Sequence, residues 1–285
     1  MQTDTIARAY HSTVCVNNLI YVIGGFDGST HFNTVRCYDP VAKVWTEKAC
    51  MYQSRCYVCA VYLEGYIYAI GGFNGRARMS SVERYNISCN QWEMISPMNM
   101  LRSDAGATVH NRTIFVAGGF NGEDVLQSVE MYSLETEQWT VIQSLFEPRS
   151  GVSLVTYCGE IYALGGFNGM TRLRSGEKLD PERKEMGWSG RVPDMFTPRS
   201  NFSCVVFNDR IYVIGGYNGT STVPFVECYH RDNEDWEPVA SMRLNRSALS
   251  TVVLSGLPNA VDYTYNASFH ARTDKNSGAT GDSVH

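Results

Sequence analysis

The sequence predicts an all-β protein in which one module is repeated five times. Along its 285 residues an apolar run ends five times in a Gly-Gly pair, and successive pairs lie 47, 47, 47 and 50 positions apart. A period near 47 residues with one Gly-Gly and one Trp is in the range of four-stranded propeller blades and far from the shorter helical repeats. The pairs begin at Gly24, Gly71, Gly118, Gly165 and Gly215.

Within a repeat, the segments between turn residues have the composition of strands. Residues 205–207 and 211–214 are β-branched and aromatic, and residues 226–229 alternate. Asp, Asn and Gly separate these segments, as expected of turns. No stretch shows a sustained helical period, so an all-β chain is predicted.

Glycine and aromatic residues recur in each module for local reasons. A glycine pair at the end of a buried strand allows positive φ and close backbone approach, and the Asn-Gly or Asp-Gly that follows begins a turn. A Tyr, replaced by Leu179 in the fourth copy, and a Trp are suited to packing between adjacent blades.

An Arg stands sixteen residues before each Gly-Gly pair. A residue that is identical in every copy cannot discriminate between partners, so we expect it to support the scaffold through hydrogen bonds within or between blades. These residues are Arg8, Arg55, Arg102, Arg149 and Arg199, and Arg246 opens a sixth copy.

The order of these motifs resembles the kelch repeat. Arg-Ser, then Ile-Tyr-x-x-Gly-Gly-aromatic-Asn-Gly, then Ser-Val-Glu-x-Tyr and Trp, recur from residue 8 to about 254. The resemblance is greatest to the kelch domains of the kelch-like (BTB-BACK-kelch) Cullin-3 adaptors. It implies a six-bladed kelch β-propeller with an inner strand at the channel and three further strands outward.

Five complete four-stranded blades are expected at about residues 8–51, 55–98, 102–145, 149–195 and 199–242. Residues 246–254 supply one orphan C-terminal inner strand, which in the family completes a blade whose other strands come from the N-terminus. We therefore expect a truncated six-bladed propeller, as a fragment, an isoform or a late start. The alternatives are that the lone strand packs on blade one or stays loose beside a five-bladed ring. Residues 255–285, polar and without a strand pattern, are expected to form a disordered tail.

Composition excludes several classes of function. A formal net charge of -5 without charge blocks argues against nucleic acid as a partner. No signal peptide or run of eighteen apolar residues suggests a membrane, so a cytoplasmic location is expected. The chain has nine cysteines, and their positions do not repeat from blade to blade as a disulfide framework would. The odd number and the irregular positions indicate reduced thiols. Cys56 and Cys59 form a CxxC motif without a second pair to complete a zinc site.

An enzyme is not expected, because no HExxH, GxSxG or phosphate-loop motif occurs. The Gly-Gly pairs precede no helix, which also argues against a dinucleotide site. We expect no catalytic residue, no metal and no cofactor.

Binding is expected at the loops around one end of the channel, where side chains vary over a constant base. Two positions vary from blade to blade: the residue five beyond the aromatic of the turn, and the residue after the repeated Arg. By resemblance to kelch-like adaptors, these positions and the aromatics line the partner-binding site. The predicted site residues are Phe26, His31, Phe73, Arg78, Phe120, Val125, Phe167, Arg172, Tyr217, Thr222, Ser103, Ser150, Ser200 and Ser247, with Ala9 and Cys56 at the corresponding places in the first two blades.

The side chains of this predicted site favour an acidic partner. Arg78 and Arg172, with Arg76 and His31, offer donors for carboxylates, while serine hydroxyls and aromatic rings add neutral contacts. The alternative is that these arginines are solvated loop charges.

The resemblance implies that the propeller recognises a protein substrate for a Cullin-3 RING E3 ubiquitin ligase. In such adaptors the cullin is bound through N-terminal BTB and BACK regions, which these 285 residues do not contain. An actin-binding or scaffold kelch protein without ligase function is the alternative.

Overall fold

The structure is a computed structural model that describes residues 6–183 and 187–263. Within these residues, twenty strands form five separate antiparallel sheets of four strands each. The first strands of successive sheets are neighbours, so the sheets stand as blades around a central channel. The five four-stranded blades predicted from the repeat are therefore confirmed.

Each blade uses four consecutive strands, numbered along the chain. Blade one contains β1 (Ser12–Val16), β2 (Leu19–Ile23), β3 (Val35–Asp39) and β4 (Val44–Lys48). Blade two contains β5 (Cys59–Leu63), β6 (Tyr66–Ile70), β7 (Val82–Asn86) and β8 (Gln91–Ile95). Blade three contains β9 (Gly106–His110), β10 (Thr113–Ala117), β11 (Val129–Ser133) and β12 (Gln138–Ile142). Blade four contains β13 (Ser153–Tyr157), β14 (Glu160–Leu164), β15 (Gly176–Leu179) and β16 (Trp188–Val192). Blade five contains β17 (Ser203–Phe207), β18 (Arg210–Ile214), β19 (Val226–His230) and β20 (Asp235–Val239).

The Gly-Gly pair ends the second strand of each blade where two blades meet closely. At Gly118, φ is +67°, and a Cβ atom there would lie 2.2 Å from the carbonyl oxygen of Arg149 in the next blade. Both the left-handed backbone and the approach exclude a side chain. The glycine signature therefore marks a contact between blades as well as a turn.

The repeated Tyr and Trp connect adjacent blades. Tyr85 and Trp92 face each other on paired strands, with ring centroids 5.2 Å apart. The indole Nε1 of Trp92 donates a hydrogen bond of 2.9 Å to the carbonyl of Ala49, after the last strand of blade one. Trp139, Trp188 and Trp236 make the equivalent bond to the preceding blade. Each of these four Trp residues thus buries an apolar surface between blades while its indole N–H keeps a hydrogen-bond acceptor.

The repeated Arg holds its blade to the chain that enters it. Arg55 donates to the carboxylate of Glu83 and to the carbonyl of Gly71, sixteen residues on, and both charged side chains are 0% exposed. Glu83 also accepts hydrogen bonds from the backbone N–H groups of Tyr52 and Gln53 in the connection from blade one. The same pairs recur as Arg102–Glu130, Arg149–Glu177 and Arg199–Glu227. The expected scaffold role of this Arg agrees with these contacts.

A ring of six backbone hydrogen bonds encircles the channel at one end. Each bond joins the residue two after a repeated Arg to its counterpart in the neighbouring repeat, with N···O distances from 2.8 to 3.1 Å. Every member has a positive φ, from 52° at Tyr57 to 64° at Gly151. The members are Tyr10, Tyr57, Asp104, Gly151, Asn201 and Ala248.

The C-terminal segment supplies the sixth member of this ring. Ala248 donates to Asn201 of blade five at 2.8 Å and accepts from Tyr10 of blade one at 3.1 Å. Ser250 and Thr251 continue this contact through hydrogen bonds to Thr13 and Ser203. The segment therefore stands between blades five and one, at the place of a sixth inner strand, instead of packing on blade one alone. It carries no strand assignment, because among the described residues no further strand pairs with it.

The expected disordered tail differs from the structure over residues 255–263. Here the chain continues along blade one and forms a short 3-10 helix at Ala260–Tyr263. Asn259 donates to the carbonyl of Pro40 at 2.9 Å, and Lys43 pairs with Asp262 at 2.7 Å. The polar composition of this segment predicted disorder. It could not reveal these contacts, because the partners lie more than two hundred residues earlier in the chain. The rest of the predicted tail, 264–285, lies outside the described residues.

Candidate functional site

The two variable positions and the aromatic of each blade form a three-residue ladder. The aromatic after the Gly-Gly pair bridges on one side to the residue after the repeated Arg, and on the other to the residue five positions further on. Positions that are seventeen residues apart are thus brought together at one end of the channel, here called the loop face. The five ladders are 9–26–31, 56–73–78, 103–120–125, 150–167–172 and 200–217–222.

The planar side chains at the outer ladder position lie between the aromatics of two neighbouring blades. The guanidinium carbon of Arg78 is 4.2 Å from the ring centroid of Phe73 in its own blade and 5.2 Å from that of Phe120 in the next. Arg172 lies in the same way, 4.1 Å from Phe167 and 5.0 Å from Tyr217. Stacking of this kind holds each guanidinium in place by cation–π attraction.

His31 occupies the corresponding place between blades one and two. Its ring centroid is 4.5 Å from that of Phe26 and 5.4 Å from that of Phe73. The imidazole therefore lies between two aromatics as the guanidinium groups do, tilted by 32° to Phe26 and edge-on to Phe73. Arg76 is exposed at the tip of the turn and belongs to the rim of the site.

The serines at the inner ladder position are largely engaged within the protein. Ser103, Ser150 and Ser200 are buried. The hydroxyl of Ser103 bonds to the carbonyl of Phe120, and that of Ser150 to the carboxylate of Asp104. Ser200 accepts from Arg172 Nε at 3.4 Å. These hydroxyls position other site residues, and Ser247, on the C-terminal segment, is half-buried.

A cavity of about 280 Å³ opens on the loop face between blades three and four. Its walls include the rings of Phe120 and Phe167, with Val125 and Arg78 beside them. Tyr57, Ser103, Asp104 and Ser150 complete the lining. Six of these eight residues were predicted from the sequence; Asp104 and Tyr57 were not.

Asp104 and Tyr57 belong to the ring of six backbone hydrogen bonds, two residues after a repeated Arg. This position varies between repeats as much as the one before it, so the rule that selected Cys56 and Ser103 would also have selected Tyr57 and Asp104. What the sequence did not show is that a positive φ at this position lets the side chain reach the mouth of the channel. Tyr10 and Tyr57 stack there, with ring centroids 3.9 Å apart.

Asp104 is the acidic group of the site. Its carboxylate accepts hydrogen bonds from Asn201 Nδ2 at 2.7 Å and from Ser150 Oγ at 3.3 Å. Burial raises the pKa of Asp104 above its ordinary value, while these hydrogen bonds and the charges of Arg172 and Arg78 act in the opposite direction. The carboxylate is therefore held in place but incompletely compensated for its lost hydration.

The CxxC motif has the environment of structural thiols. Cys56 and Cys59 are both buried, and burial raises the pKa of Cys56 to about 11 and that of Cys59 to about 12. Thiols with such pKa values stay protonated and weakly reactive near neutral pH. Across residues 6–183 and 187–263, no group of three or more His, Cys, Asp or Glu is arranged to hold a metal ion. No helix in the same ranges is long and apolar enough to cross a membrane.

Five radial four-stranded sheets around a channel, with variable side chains at one mouth, define a β-propeller. Comparison with known families identifies its repeats. Residues 2–119 match the KLHDC2/KLHL20/DRC7 Kelch-repeats domain, and residues 101–145, 148–185 and 198–243 match the Kelch motif. The chain is thus a kelch-repeat β-propeller.

Similarity to individual curated proteins is confined to short segments. Over 53 residues the chain is 43% identical to Kelch repeat and BTB domain-containing protein F47D12.7 of Caenorhabditis elegans, covering 19% of this chain and 9% of that protein. Kelch-like protein 6 of Homo sapiens is 46% identical over 44 residues, which are 15% of this chain and 7% of that protein. The matches thus span less than a tenth of these relatives.

A solved structure supports the fold over most of the chain. The structure titled "Structure of YjhT" superimposes with a TM-score of 0.76 and covers 88% of each chain. Sequence identity is 15%, so the similarity is one of fold.

Proposed function

We propose that this propeller binds a protein partner through an acidic segment at the loop face. Kelch-repeat domains are typically protein interaction domains. One observation carries the choice of an acidic partner: the guanidinium groups of Arg78 and Arg172 are presented at the loop face without a carboxylate at ion-pair distance among the described residues.

The contrast with the scaffold arginines makes this observation informative. Arg55, Arg102, Arg149 and Arg199 are each buried against a glutamate of their own blade. Arg78 and Arg172 are half-buried and held by aromatic rings, which fix the guanidinium plane but do not neutralise its charge. A partner carboxylate would meet donors that are already positioned, so little conformational entropy is lost on binding.

We further propose that the chain is the substrate-recognition part of a Cullin-3 ubiquitin ligase adaptor acting in the cytoplasm. We place it with kelch-like adaptors such as kelch-like protein ten, and the short similarities to kelch-like and BTB-containing proteins support this group. In such adaptors, BTB and BACK regions engage the cullin while the propeller engages the substrate. An actin-binding scaffold without ligase function is the alternative. Co-sedimentation of this chain with actin filaments would support the scaffold, whereas co-precipitation of Cullin-3 with a protein that joins these repeats to BTB and BACK regions would support the adaptor.

Charge reversal at the loop face tests the acidic-segment proposal. The variant with Arg78→Glu and Arg172→Glu is compared with wild type for binding to a library of Asp- and Glu-rich peptides, and for partners captured from cells. Truncating one member of a buried charged contact at an interface costs about 2 to 5 kcal/mol, so at least about thirtyfold weaker binding is expected.

A matched control places the same charge change at the opposite end of the propeller. Arg112 and Arg231 lie at turns remote from the loop face, where they pair with Glu64 and Glu160. The variant with Arg112→Glu and Arg231→Glu should bind as wild type does. Equal loss in both double variants, or no loss at the loop face, would overturn the proposal.

A further inference from the structure

Neighbouring aromatics of the ladders form a series of slots around the loop face. The slot between Phe26 and Phe73 holds His31, and the slot between Phe73 and Phe120 holds Arg78. The slot between Phe167 and Tyr217 holds Arg172. In three of the four slots between complete blades, the chain thus inserts a planar nitrogen-bearing side chain of its own.

The remaining slot, between Phe120 and Phe167, has no such side chain. Its ladder position is Val125, which points the same way as its counterparts: a Cβ added at Gly169 of the next blade would lie 3.9 Å from Val125 Cγ2. The equivalent distance from Gly122 to Arg78 Cδ is 4.0 Å, and from Gly219 to Arg172 Cδ it is 3.9 Å. The Val125 side chain is shorter than those of Arg78 and Arg172. The cavity of about 280 Å³ occupies the space beyond it.

This slot also contains an acidic group. Asp104 lines the same cavity. Its carboxylate receives two hydrogen bonds from neutral donors, Asn201 and Ser150, and an ionised carboxylate has room for about four. A cation in the slot would therefore find both aromatic faces and a negative charge.

We propose that the slot between Phe120 and Phe167 binds an arginine side chain of the protein partner. The guest guanidinium stacks on these rings as Arg78 and Arg172 stack on theirs, and its N–H groups donate to the Asp104 carboxylate. Arginine fits better than lysine because its planar, weakly hydrated guanidinium stacks on aromatic faces. A purely apolar side chain would leave the half-buried carboxylate without a new partner.

The inference rests on the proposed protein-binding function and adds a second element to it. Arg78 borders the slot from blade two, and Arg172 lies on blade four, so positive charge surrounds the site of the guest arginine. A partner that satisfies all of these groups presents one arginine with carboxylates near it. The recognised segment is therefore of mixed charge.

Small-molecule titration tests the slot directly. N-acetyl-arginine amide is added to the protein while the methyl signals of Val125 are followed by NMR, with the corresponding lysine and citrulline amides as comparisons. Citrulline keeps the planar shape but has no charge, so a charged, stacked ligand predicts about tenfold weaker binding of both comparisons. Equal binding of arginine and citrulline amides, or no change at about 50 mM, would overturn the proposal, since ligands of this size bind in the millimolar range.

Variants connect the slot to partner binding. Val125→Arg repeats the arrangement of blades two and four, so it should fold and fill the slot from within, and should weaken arginine amide binding by about tenfold or more. Thr222→Arg makes the same change on blade five, where residues 6–183 and 187–263 provide no following aromatic, and should have no effect. Asp104→Asn should weaken arginine amide binding without filling the slot.

The two proposals fail separately. If charge reversal at Arg78 and Arg172 abolishes capture of the partner but Val125→Arg leaves it unchanged, the acidic-segment function stands and the guest arginine is wrong. If Val125→Arg abolishes capture and the charge reversal does not, the slot stands and the acidic segment is wrong.

Discussion

Asn201 donates a hydrogen bond of 2.7 Å to the carboxylate of Asp104, although these residues belong to blades five and three. The contact passes over Gly151 of blade four, which holds the intervening place in the backbone ring. A Cβ atom at Gly151 would lie 2.9 Å from the backbone nitrogen of Asn201 and 3.1 Å from its Nδ2. The absence of a side chain at one position thus allows two non-adjacent blades to interact.

Gly151→Ser should break this contact and destabilise the protein. Its φ of +64° is unfavourable for a residue with a side chain, and the added atoms would displace Asn201, so a loss of about 2 to 4 kcal/mol in the free energy of unfolding is expected. Urea denaturation measures it. Gly159→Ser, at a φ of +80° with open space around it, is the matched control and should cost less. Equal losses would mean that backbone strain alone explains the effect.

Asp104→Asn should make the protein more stable near neutral pH. Because the pKa of Asp104 is raised in the folded state, the unfolded chain releases this proton first as the pH rises. The ionised Asp104 carboxylate therefore lowers the free energy of unfolding. This loss is absent below the unfolded pKa of about 3.9 and complete above the raised folded pKa. The stability advantage of the variant should therefore shrink as the pH falls toward about 4, as measured by thermal unfolding across this range.

Asp27→Asn is the control with the opposite sign. Backbone hydrogen bonds from Thr30 and Ser29 lower the pKa of Asp27, so its ionised form stabilises the folded state, and this contribution is lost as the pH falls through the folded pKa. Asn occupies the same position in the other four blades. Parallel pH trends in the Asp104 and Asp27 variants would contradict the assignment of burial as the cause at Asp104.

Glu130→Gln should be among the most destabilising single changes. It leaves the buried guanidinium of Arg102 without its counter-charge, and removing one member of a buried ion pair costs about 3 to 5 kcal/mol. Chemical denaturation gives the value. Glu64→Gln breaks the exposed pair with Arg112 and should cost less than about 1 kcal/mol. A similar small cost for both would show that the Arg–Glu pair of each blade is dispensable.

Ala248→Pro should open the ring between blades five and one. Proline lacks the N–H that Ala248 donates to Asn201 and requires φ near −65° where the ring has 53°, so about 3 kcal/mol or more should be lost. Ala248→Gly accommodates the positive φ and should remain within about 1 kcal/mol of wild type. The midpoint of thermal unfolding compares them. If the proline variant unfolds with the glycine variant, the C-terminal segment does not contribute to closure.

Sequence features within single repeats predicted much of the fold. The Gly-Gly pairs, the Trp and the spacing between repeats predicted five blades because each of these features acts within one repeat or across one interface between blades. Comparison of the repeats also identified the ladder residues, since one repeat position changes in residue type from blade to blade, as His31, Arg78, Val125, Arg172 and Thr222. These residues pair with the aromatics in every blade because each turn has the same geometry.

The amino-acid sequence by itself determined the blade, the number of complete blades and the residue types offered at the loop face. The tertiary structure decided what depends on contacts between distant parts of the chain: the place of residues 246–254 in the ring, the packing of residues 255–263 on blade one, and the inward reach of Asp104. A repeat pattern specifies interactions that recur in every copy. It carries no information about Asn201 reaching Asp104, or about the slot beside Val125, because both depend on how different blades face one another around a closed ring.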